Sequence, residues 1–365
     1  MHRRRFLGFS VLSFAAAAAH GIPLAQAQEK KRSRLVLLGT KGGPRVGAAG
    51  RSNPANLLVV DGVPYVVDCG YGVSRQLVRA GVPLNTLRYI FITHNHSDHV
   101  LEYGPLLYNG WATGLKQQVD VYGPPPLVQP TEAFMQSMRF DIDTRIGDEG
   151  KPDLRKLVVP HEIAGDGEVF RNDSVRVTAM RVEHPPIHDA YALRFECPDR
   201  VIVFSGDTRL TPSLEAQAAG CDLLICEVFI ASQMPVVAGV RSAETVAAVE
   251  SYHMTPAVVA GLATRAGVKA LALTHLVPPN ADTAALAREV RAAGYAGALF
   301  AAQFGFVSPA VTGMALSTEV LIWVAVGGRG VLLAADLGVV LGRSVESFLS
   351  SSLGPYWLLT LGAFF

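Results

Sequence analysis

The sequence predicts an α/β fold in which β-sheets pack against each other and are covered by helices. The order of elements is the first reason, since strand-like runs dominate the beginning and strands then alternate twice with helices. This order is typical of layered architectures. Composition is the second reason, because half of the 365 residues are apolar and only 17% are charged. Such a chain can bury a sizeable core, in one large or two ordinary domains.

The first half of the chain reads mainly as strands. The runs "SRLVLLGT", "NLLVVDG" and "VPYVVDCG" are strand-like, and the "DG" between the last two indicates a hairpin turn. A Gly-rich turn, "KGGPRVGAAGRS", separates the first two runs. Helical spacing then predicts a helix in "VSRQLVRAGV", an apolar run predicts a strand in "LRYIFITH", and a helix follows in "HVLEYGPLLYNGWATG".

The second half follows a polar stretch at about residues 128–170, to which no element is assigned. Three alternating strands come next, in "SVRVTAMRVEH", "DAYALRFECP" and "RVIVFSGDT". The strand "DLLICEVF", the helix "TPAVVAGLATRAG", the strand "ALALTH" and the helix "TAALAREVRAAG" then follow in turn.

The two ends of the chain differ from its middle. Residues 1–27 combine arginines, a short apolar segment and a small-residue cleavage pattern, which favours an export signal over a membrane anchor. Their "RRRFL" resembles a twin-arginine signal, so the predicted location is the periplasm. Residues 309–365 are apolar and Gly-rich, and they resemble part of a branched-chain amino-acid or urea ABC transporter permease. This tail is either a fusion or frameshift remnant or an ordinary helical extension.

The charge of the chain gives little support to a nucleic-acid partner. The formal net charge is +1, and the basic runs are confined to the first five residues and to "KKRSR". Nucleic-acid binders usually present a basic face. The sequence therefore predicts a small-molecule substrate and no nucleic acid.

The loop "THNHSDHV" at residues 93–100 is the strongest functional signal. It places three histidines and an aspartate directly after an apolar strand, which turn formation does not require. Imidazole and carboxylate groups together are typical ligands of a divalent metal. Three further donors, His184, Asp207 and His275, lie at the ends of predicted strands. Strand ends can hold such side chains rigidly in one cleft.

The motif "THNHSDH" matches the HxHxDH signature of the metallo-β-lactamase fold hydrolases, and the resemblance extends over about residues 33–308. It implies a four-layer αββα sandwich at residues 28–308, followed by the atypical apolar extension. It also implies two Zn²⁺ ions, with Mn²⁺ or Fe as alternatives, that share a water and lower its pKa to give a hydroxide. The residues that match the family motifs are His94, His96 and His184 for one metal, Asp98, His99 and His275 for the other, Asp207 between the two, and Asp68 as a hydrogen-bonding partner of the metal loop.

Two further residues resemble one branch of this family. Glu227 in "LLICEVF" and His253 in "SYHMTP" resemble the "HEAT" and "HST" motifs of the ribonuclease Z and arylsulfatase branch. There, the glutamate orients the histidine, which contacts the scissile phosphate or sulfate and can protonate the leaving group. The match is partial, because Cys226 replaces a histidine and Met254 replaces a serine. The predicted catalytic residues are Asp98, His253 and Glu227; the alternative is that the last two are structural.

The predicted substrate is a small ester, with an aryl sulfate or a phosphate ester or diester favoured. Processing of tRNA is disfavoured by the export signal and by the 22 residues between His184 and Asp207, where bacterial tRNA enzymes insert a long arm. Hydrolysis of a lactone or β-lactam by the same metals is one alternative. A non-enzymatic metal-binding or transport-associated protein is another. Membrane contact is expected only through the tail, and a homodimer is left open.

Overall fold

Two β-sheets of six and seven strands are present in the computed structural model, which describes residues 33–45, 51–239 and 241–301. In the first sheet the strands lie in chain order: β1 (Arg34–Gly39), β2 (Ala55–Val60), β3 (Val63–Val67), β4 (Tyr89–Phe91), β5 (Val119–Gly123) and β6 (Val158–Glu162). The second sheet contains β7 (Gly167–Arg171), β8 (Arg176–Arg181), β9 (Tyr191–Glu196), β10 (Val201–Phe204), β11 (Leu223–Phe229), β12 (Ala270–Val277) and β13 (Ala298–Phe300).

Each sheet is antiparallel on one side and parallel on the other. Strands β1 to β3 and β7 to β10 pair antiparallel, whereas β3 to β6 and β10 to β13 pair parallel. Strand β11 lies within the parallel part, and all seven of its residues are buried. A continuous apolar run such as "LLICEVF" is therefore what this position requires.

Helices connect the strands of both sheets. Those that accompany the first sheet are α1 (Val73–Arg79), α2 (Ser97–Val100), α3 (Tyr103–Ala112), α4 (Val128–Ser137), α5 (Arg139–Glu149) and α6 (Leu154–Leu157). Those that accompany the second sheet are α7 (Pro212–Ala218), α8 (Ala243–Ser251), α9 (Pro256–Arg265) and α10 (Thr283–Ala292). None of the helices in the described ranges is long and apolar enough to cross a membrane.

Three buried clusters hold these layers together. One joins the first sheet to helices such as α1 and α3, and another joins the second sheet to α7, α9 and α10. The third lies between the sheets, where the rings of Phe91 on β4 and Phe195 on β9 are 5.1 Å apart. Each fully buried aromatic or aliphatic side chain contributes about 1.5–3 kcal/mol to stability. The predicted four-layer αββα sandwich is confirmed.

The element predictions differ from the structure in several places, and they miss α7, α8, β7 and β13. The single helix predicted in "HVLEYGPLLYNGWATG" is two helices, α2 and α3. A turn at Leu101 and Glu102 separates them. The polar stretch at about residues 128–170 contains α4, α5, α6 and β6. Its helices expose most of their surface and bury few residues, such as Met135 and Ile142, so their apolar periodicity is weak. The predicted export signal and the apolar tail lie outside the described residues, and their boundaries stay predictions.

Candidate metal centre

The predicted donors meet at one edge of the two sheets, where the parallel strands end. Asp68 follows β3, the loop of residues 93–100 follows β4, and Asp207 follows β10. His275 lies near the end of β12, and His184 follows β8. Carboxyl ends of parallel strands commonly form ligand sites in such sheets. The fold thus brings together residues that are up to 207 positions apart in the chain, from Asp68 to His275.

Three groups of donor atoms in the described residues could each hold a metal ion; one is Asp207, His253 and His275, and the other two contain only predicted ligands. Within each group, the atoms lie within 4.8 Å of one another. The two groups of predicted ligands consist of His94, His96, His184 and Asp207, and of Asp98, His99 and His275. Both match the sets implied by the family resemblance, and their nitrogen and oxygen donors are compatible with a dinuclear site.

The Asp207 carboxylate lies between the two groups. Its Oδ2 atom is 3.8 Å from Nε2 of both His94 and His184, in the first group. The same oxygen is 3.4 Å from His99 Nε2 and 2.9 Å from His275 Nε2, in the second. One oxygen atom thus faces four imidazoles, which is the arrangement expected of a carboxylate shared by two cations.

Asp68 fixes the orientation of the metal loop. Its Oδ2 is 2.9 Å from His99 Nδ1, and its Oδ1 accepts a hydrogen bond of 2.8 Å from the Thr93 backbone N–H. Asp68 has a φ of 63°, and His275 has a φ of 42°; side chains other than glycine seldom adopt this left-handed conformation. Two such residues at one site indicate that the surrounding contacts impose the backbone geometry.

Backbone groups outside the motifs hold two other donors. His184 Nδ1 is 3.2 Å from the Tyr252 carbonyl oxygen, which leaves Nε2 directed at the site. The Gly43 backbone N–H donates to Asp98 Oδ2 at 2.8 Å. His275 Nε2 lies 3.3 Å from the same Asp98 oxygen. Contacts of this kind fix the tautomer and the ring orientation of ligands.

The electrostatics of the site favour cation binding. Burial lowers the pKa of His94 well below its ordinary value, and burial lowers that of His184 to about 4, so both rings offer a neutral lone pair. Burial alone would also lower the pKa of His275, but the adjacent Asp207 and Asp98 raise it to about 10. The buried His99 Nε2 has no hydrogen-bond partner in the described part of the chain. A cation at this position would satisfy that nitrogen and compensate the two buried carboxylates.

His253 and Glu227 lie beside this cluster as a hydrogen-bonded pair. His253 Nδ1 is 2.9 Å from Glu227 Oε2, and the His253 ring is 5.1 Å from the ring of His184. Glu227 Oε1 accepts hydrogen bonds from the backbone N–H groups of Met254 and Thr208, at 3.1 Å and 3.3 Å. Burial raises the pKa of Glu227 above its ordinary value. The residues predicted to be catalytic are therefore adjacent to the predicted metal ligands.

A family model described as "Beta-lactamase superfamily domain" matches residues 64–276, which contain all of these donors. The chain belongs to this superfamily. Its curated relatives include "Ribonuclease Z" of Mycobacterium sp. (strain KMS), which is 34% identical to this chain over 251 residues. The match covers 68% of this chain and 85% of the relative. "Ribonuclease Z" of Mycobacterium marinum is 31% identical over 250 residues, or 67% and 86% of the two chains. Like these relatives, the protein is a hydrolase of the superfamily.

Solved structures of the superfamily show the same fold. The metallo-beta-lactamase fold protein YhfI from Bacillus subtilis has a TM-score of 0.56 at 20% identity, with 74% of this chain and 96% of that chain covered. Human tRNase Z, short form, has a TM-score of 0.53 at 24% identity, with 66% and 92% covered. At these identities the likeness concerns architecture alone.

The exclusion of nucleic acid as a partner is wrong. The curated relatives are ribonuclease Z proteins, whose name specifies RNA cleavage, and the chain covers most of their length. The exclusion depended on a net charge of +1 and on the scarcity of basic runs. Linear charge is a poor guide here, because the fold can gather separate arginines and because two divalent cations would themselves supply positive charge to a phosphate.

Several residues of the site could not be read from the superfamily motifs. Gly43 and Tyr252 contribute backbone atoms, so their side-chain types give no signal. Cys226 and Met254, which depart from the branch motifs, are buried in the core beneath the second sheet, and Glu227 and His253 still pair. The departures therefore leave the geometry of this pair intact.

Proposed function

We propose that this hydrolase cleaves phosphodiester bonds, with RNA as the substrate class, at a dinuclear metal centre that holds Zn²⁺. The single observation that carries the proposal is the pairing of His253 with Glu227 beside both donor groups. The curated ribonuclease Z relatives support RNA as the substrate class. The metal ions would be held by the seven donors described above.

The bound cations would supply charge stabilisation to the phosphate and activate water for attack. The residues of the chain supply the rest. Asp207, between the groups, sets the spacing of the two sites. Asp98, which accepts from Gly43 N–H and lies beside His275, is positioned to orient a proton of the attacking water. These carboxylates would offset part of the charge of two divalent cations, and the positive charge that remains would attract a phosphate anion.

His253 is the proposed general acid. Its Nδ1 points at Glu227, so Nε2 is the nitrogen available to a leaving group. Glu227 is 1% exposed and held by two backbone N–H groups, so it cannot turn away from the imidazole. A buried carboxylate in this position stabilises the imidazolium until the proton passes to the departing oxygen.

The test compares three variants on a substrate panel. We expect His253→Ala to lower turnover of an RNA oligonucleotide by about 10²–10⁴-fold while both metals remain bound. His96→Ala should lose metal and turnover together. His161→Ala is the matched control, because His161 is half-exposed, contacts Asp120 and Tyr122, and lies outside the site. Metal content by atomic emission and rates on each substrate are the readouts.

The panel also holds bis-nitrophenyl phosphate, nitrophenyl sulfate, a lactone and a β-lactam. The sequence ranked aryl sulfates beside phosphate esters, but no described contact favours sulfate over phosphate. Cleavage of RNA or the phosphate diester alone supports the proposal. Preferred turnover of the sulfate, the lactone or the β-lactam contradicts it, and so does full activity of His253→Ala.

A further inference from the structure

A small cavity lies between the two sheets, directly beneath the candidate metal centre. Its volume is about 20 Å³, and the residues that line it come from both sheets. In the described part of the chain, six buried side-chain nitrogen or oxygen atoms lack a hydrogen-bond partner. Five of the six belong to residues that line this one cavity: Asn56, His99, Asp207, Thr274 and His275.

Two of these five atoms are imidazole nitrogens that face other groups. His99 Nε2 faces the carboxylate oxygens of Asp98 and Asp207 and is the atom assigned to a metal. His275 Nδ1 is directed towards Gly42, since a Cβ at Gly42 would lie 2.9 Å from it. His275 Nδ1 stays without a hydrogen-bond partner on the Gly42 side, and the other atoms that require a partner are Asn56 Oδ1, Thr274 Oγ1 and Asp207 Oδ1.

The three remaining atoms form a complementary set. Asn56 Nδ2 is directed at the Val67 carbonyl oxygen, 3.5 Å away, so Oδ1 is the end of the amide left as an acceptor. Asp207 uses Oδ2 towards the imidazoles, which leaves Oδ1 as a second acceptor. Thr274 carries a hydroxyl that can donate. Neighbouring polar side chains are already engaged, for example Ser205 Oγ with Gly206 O at 2.7 Å.

We propose that this cavity is a binding site for one structural water molecule that holds the Asp207 carboxylate. A water has two protons to donate, which match Asn56 Oδ1 and Asp207 Oδ1, and it can accept the Thr274 hydroxyl proton. A site of about 20 Å³ exceeds the roughly 10–15 Å³ that one water needs. Isolated buried polar atoms are rare in folded proteins, so three in one polar cavity point to a shared partner.

The water gives Asn56 and Thr274 a role as positioning residues. With Oδ1 held from below, the Asp207 carboxylate cannot rotate, and Oδ2 stays between the two donor groups. Neither Asn56 nor Thr274 belongs to a motif of the metal site, and both are buried, at 4% and 7% exposure. This inference depends on the proposed metal site but not on the choice of substrate.

The test uses Thr274→Val, which has nearly the same shape and no hydroxyl, and Thr274→Ser as the matched control. High-resolution crystal structures of the full chain, with and without Zn²⁺, should show the water in the wild type and in Thr274→Ser. In Thr274→Val the water should be lost or displaced. Zn²⁺ affinity, measured by competition with a chromophoric chelator, should fall by about tenfold to hundredfold in Thr274→Val only.

The outcomes separate this inference from the proposed function. A dry cavity in the wild type overturns the inference whatever the substrate. Unchanged Zn²⁺ affinity in Thr274→Val overturns the positioning role, even if the water is present. Should Thr274→Val fail to fold, Asn56→Ser tests the same water through its other partner. If the water and the loss of Zn²⁺ affinity are both observed but RNA is not cleaved, only the proposed function is contradicted.

Discussion

At the scale of single residues, the candidate metal centre depends on groups that lie outside the set of predicted metal ligands. Asp68 accepts from Thr93 and holds His99 by its Nδ1, and the Tyr252 carbonyl does the same for His184. Such partners make an imidazole a better ligand by fixing which nitrogen carries the proton. The orientation of the predicted metal ligands is therefore fixed partly by groups that do not belong to the family motifs.

Asp68→Asn tests this dependence. The amide cannot stabilise the His99 tautomer as a carboxylate does, so we expect the affinity of the second site for Zn²⁺ to fall by about tenfold to hundredfold. Asp143→Asn is the control, because Asp143 forms ion pairs with Arg139 and Arg155 at the surface. Isothermal titration of the metal-free protein measures the affinity. Equal affinities for Asp68→Asn and the wild type would show that His99 needs no such partner.

At the scale of elements, Asp222 links the beginnings of β10 and β12. Its Oδ2 accepts from the Val201 backbone N–H at 2.7 Å, and its Oδ1 accepts from Lys269 Nζ at 2.7 Å. Burial alone would raise the pKa of Asp222, but the hydrogen bonds from Lys269 and Val201 lower it. A carboxylate whose pKa is lower in the folded protein stabilises the fold only where it is ionised.

We expect Asp222→Asn to lower the free energy of unfolding by about 1 kcal/mol at neutral pH. The stabilisation by Asp222 is complete above its unfolded pKa of about 3.9 and is lost as the pH falls through the lower folded pKa. The difference between wild type and variant should therefore disappear in acid. Urea denaturation at several pH values measures it. Lys269→Met removes only one of the two hydrogen bonds to Asp222, and it should cost less than about 0.5 kcal/mol because Lys269 is exposed.

The sequence predicts elements well where burial imposes a pattern. The strands "LRYIFITH", "DLLICEVF" and "ALALTH" coincide with β4, β11 and β12, because parallel strands buried on both faces need continuous apolar runs. The donors at their ends could be predicted for the same reason. Helices α4 and α5 could not be predicted, because they bury too few side chains to produce a helical spacing of apolar residues in the sequence. Backbone contacts such as Gly43 to Asp98 are also invisible in a sequence, because almost every residue type has a backbone N–H group.

At the scale of the whole molecule, we expect bound metal to add to stability, because the donor groups that would hold it are buried. A ligand that binds only the native state adds about 2.7 kcal/mol to the free energy of unfolding at 100 times its dissociation constant. We expect a chelator to lower the unfolding midpoint and added Zn²⁺ to restore it. Calorimetry of the wild type and of His96→Ala provides the comparison. If the chelator left the unfolding midpoint of the metal-loaded wild type unchanged, the prediction would be wrong.

Both candidate metal positions combine donors from the two sheets. His94 and His96 follow β4 of the first sheet, whereas His184 and Asp207 follow β8 and β10 of the second. The other group likewise joins Asp98 and His99 to His275 on β12. A ribosome must therefore synthesise the chain past β10 before one ion can be fully coordinated, and through β12 before the other can. Full coordination of either ion would therefore require a molecule in which the two sheets are already docked in register.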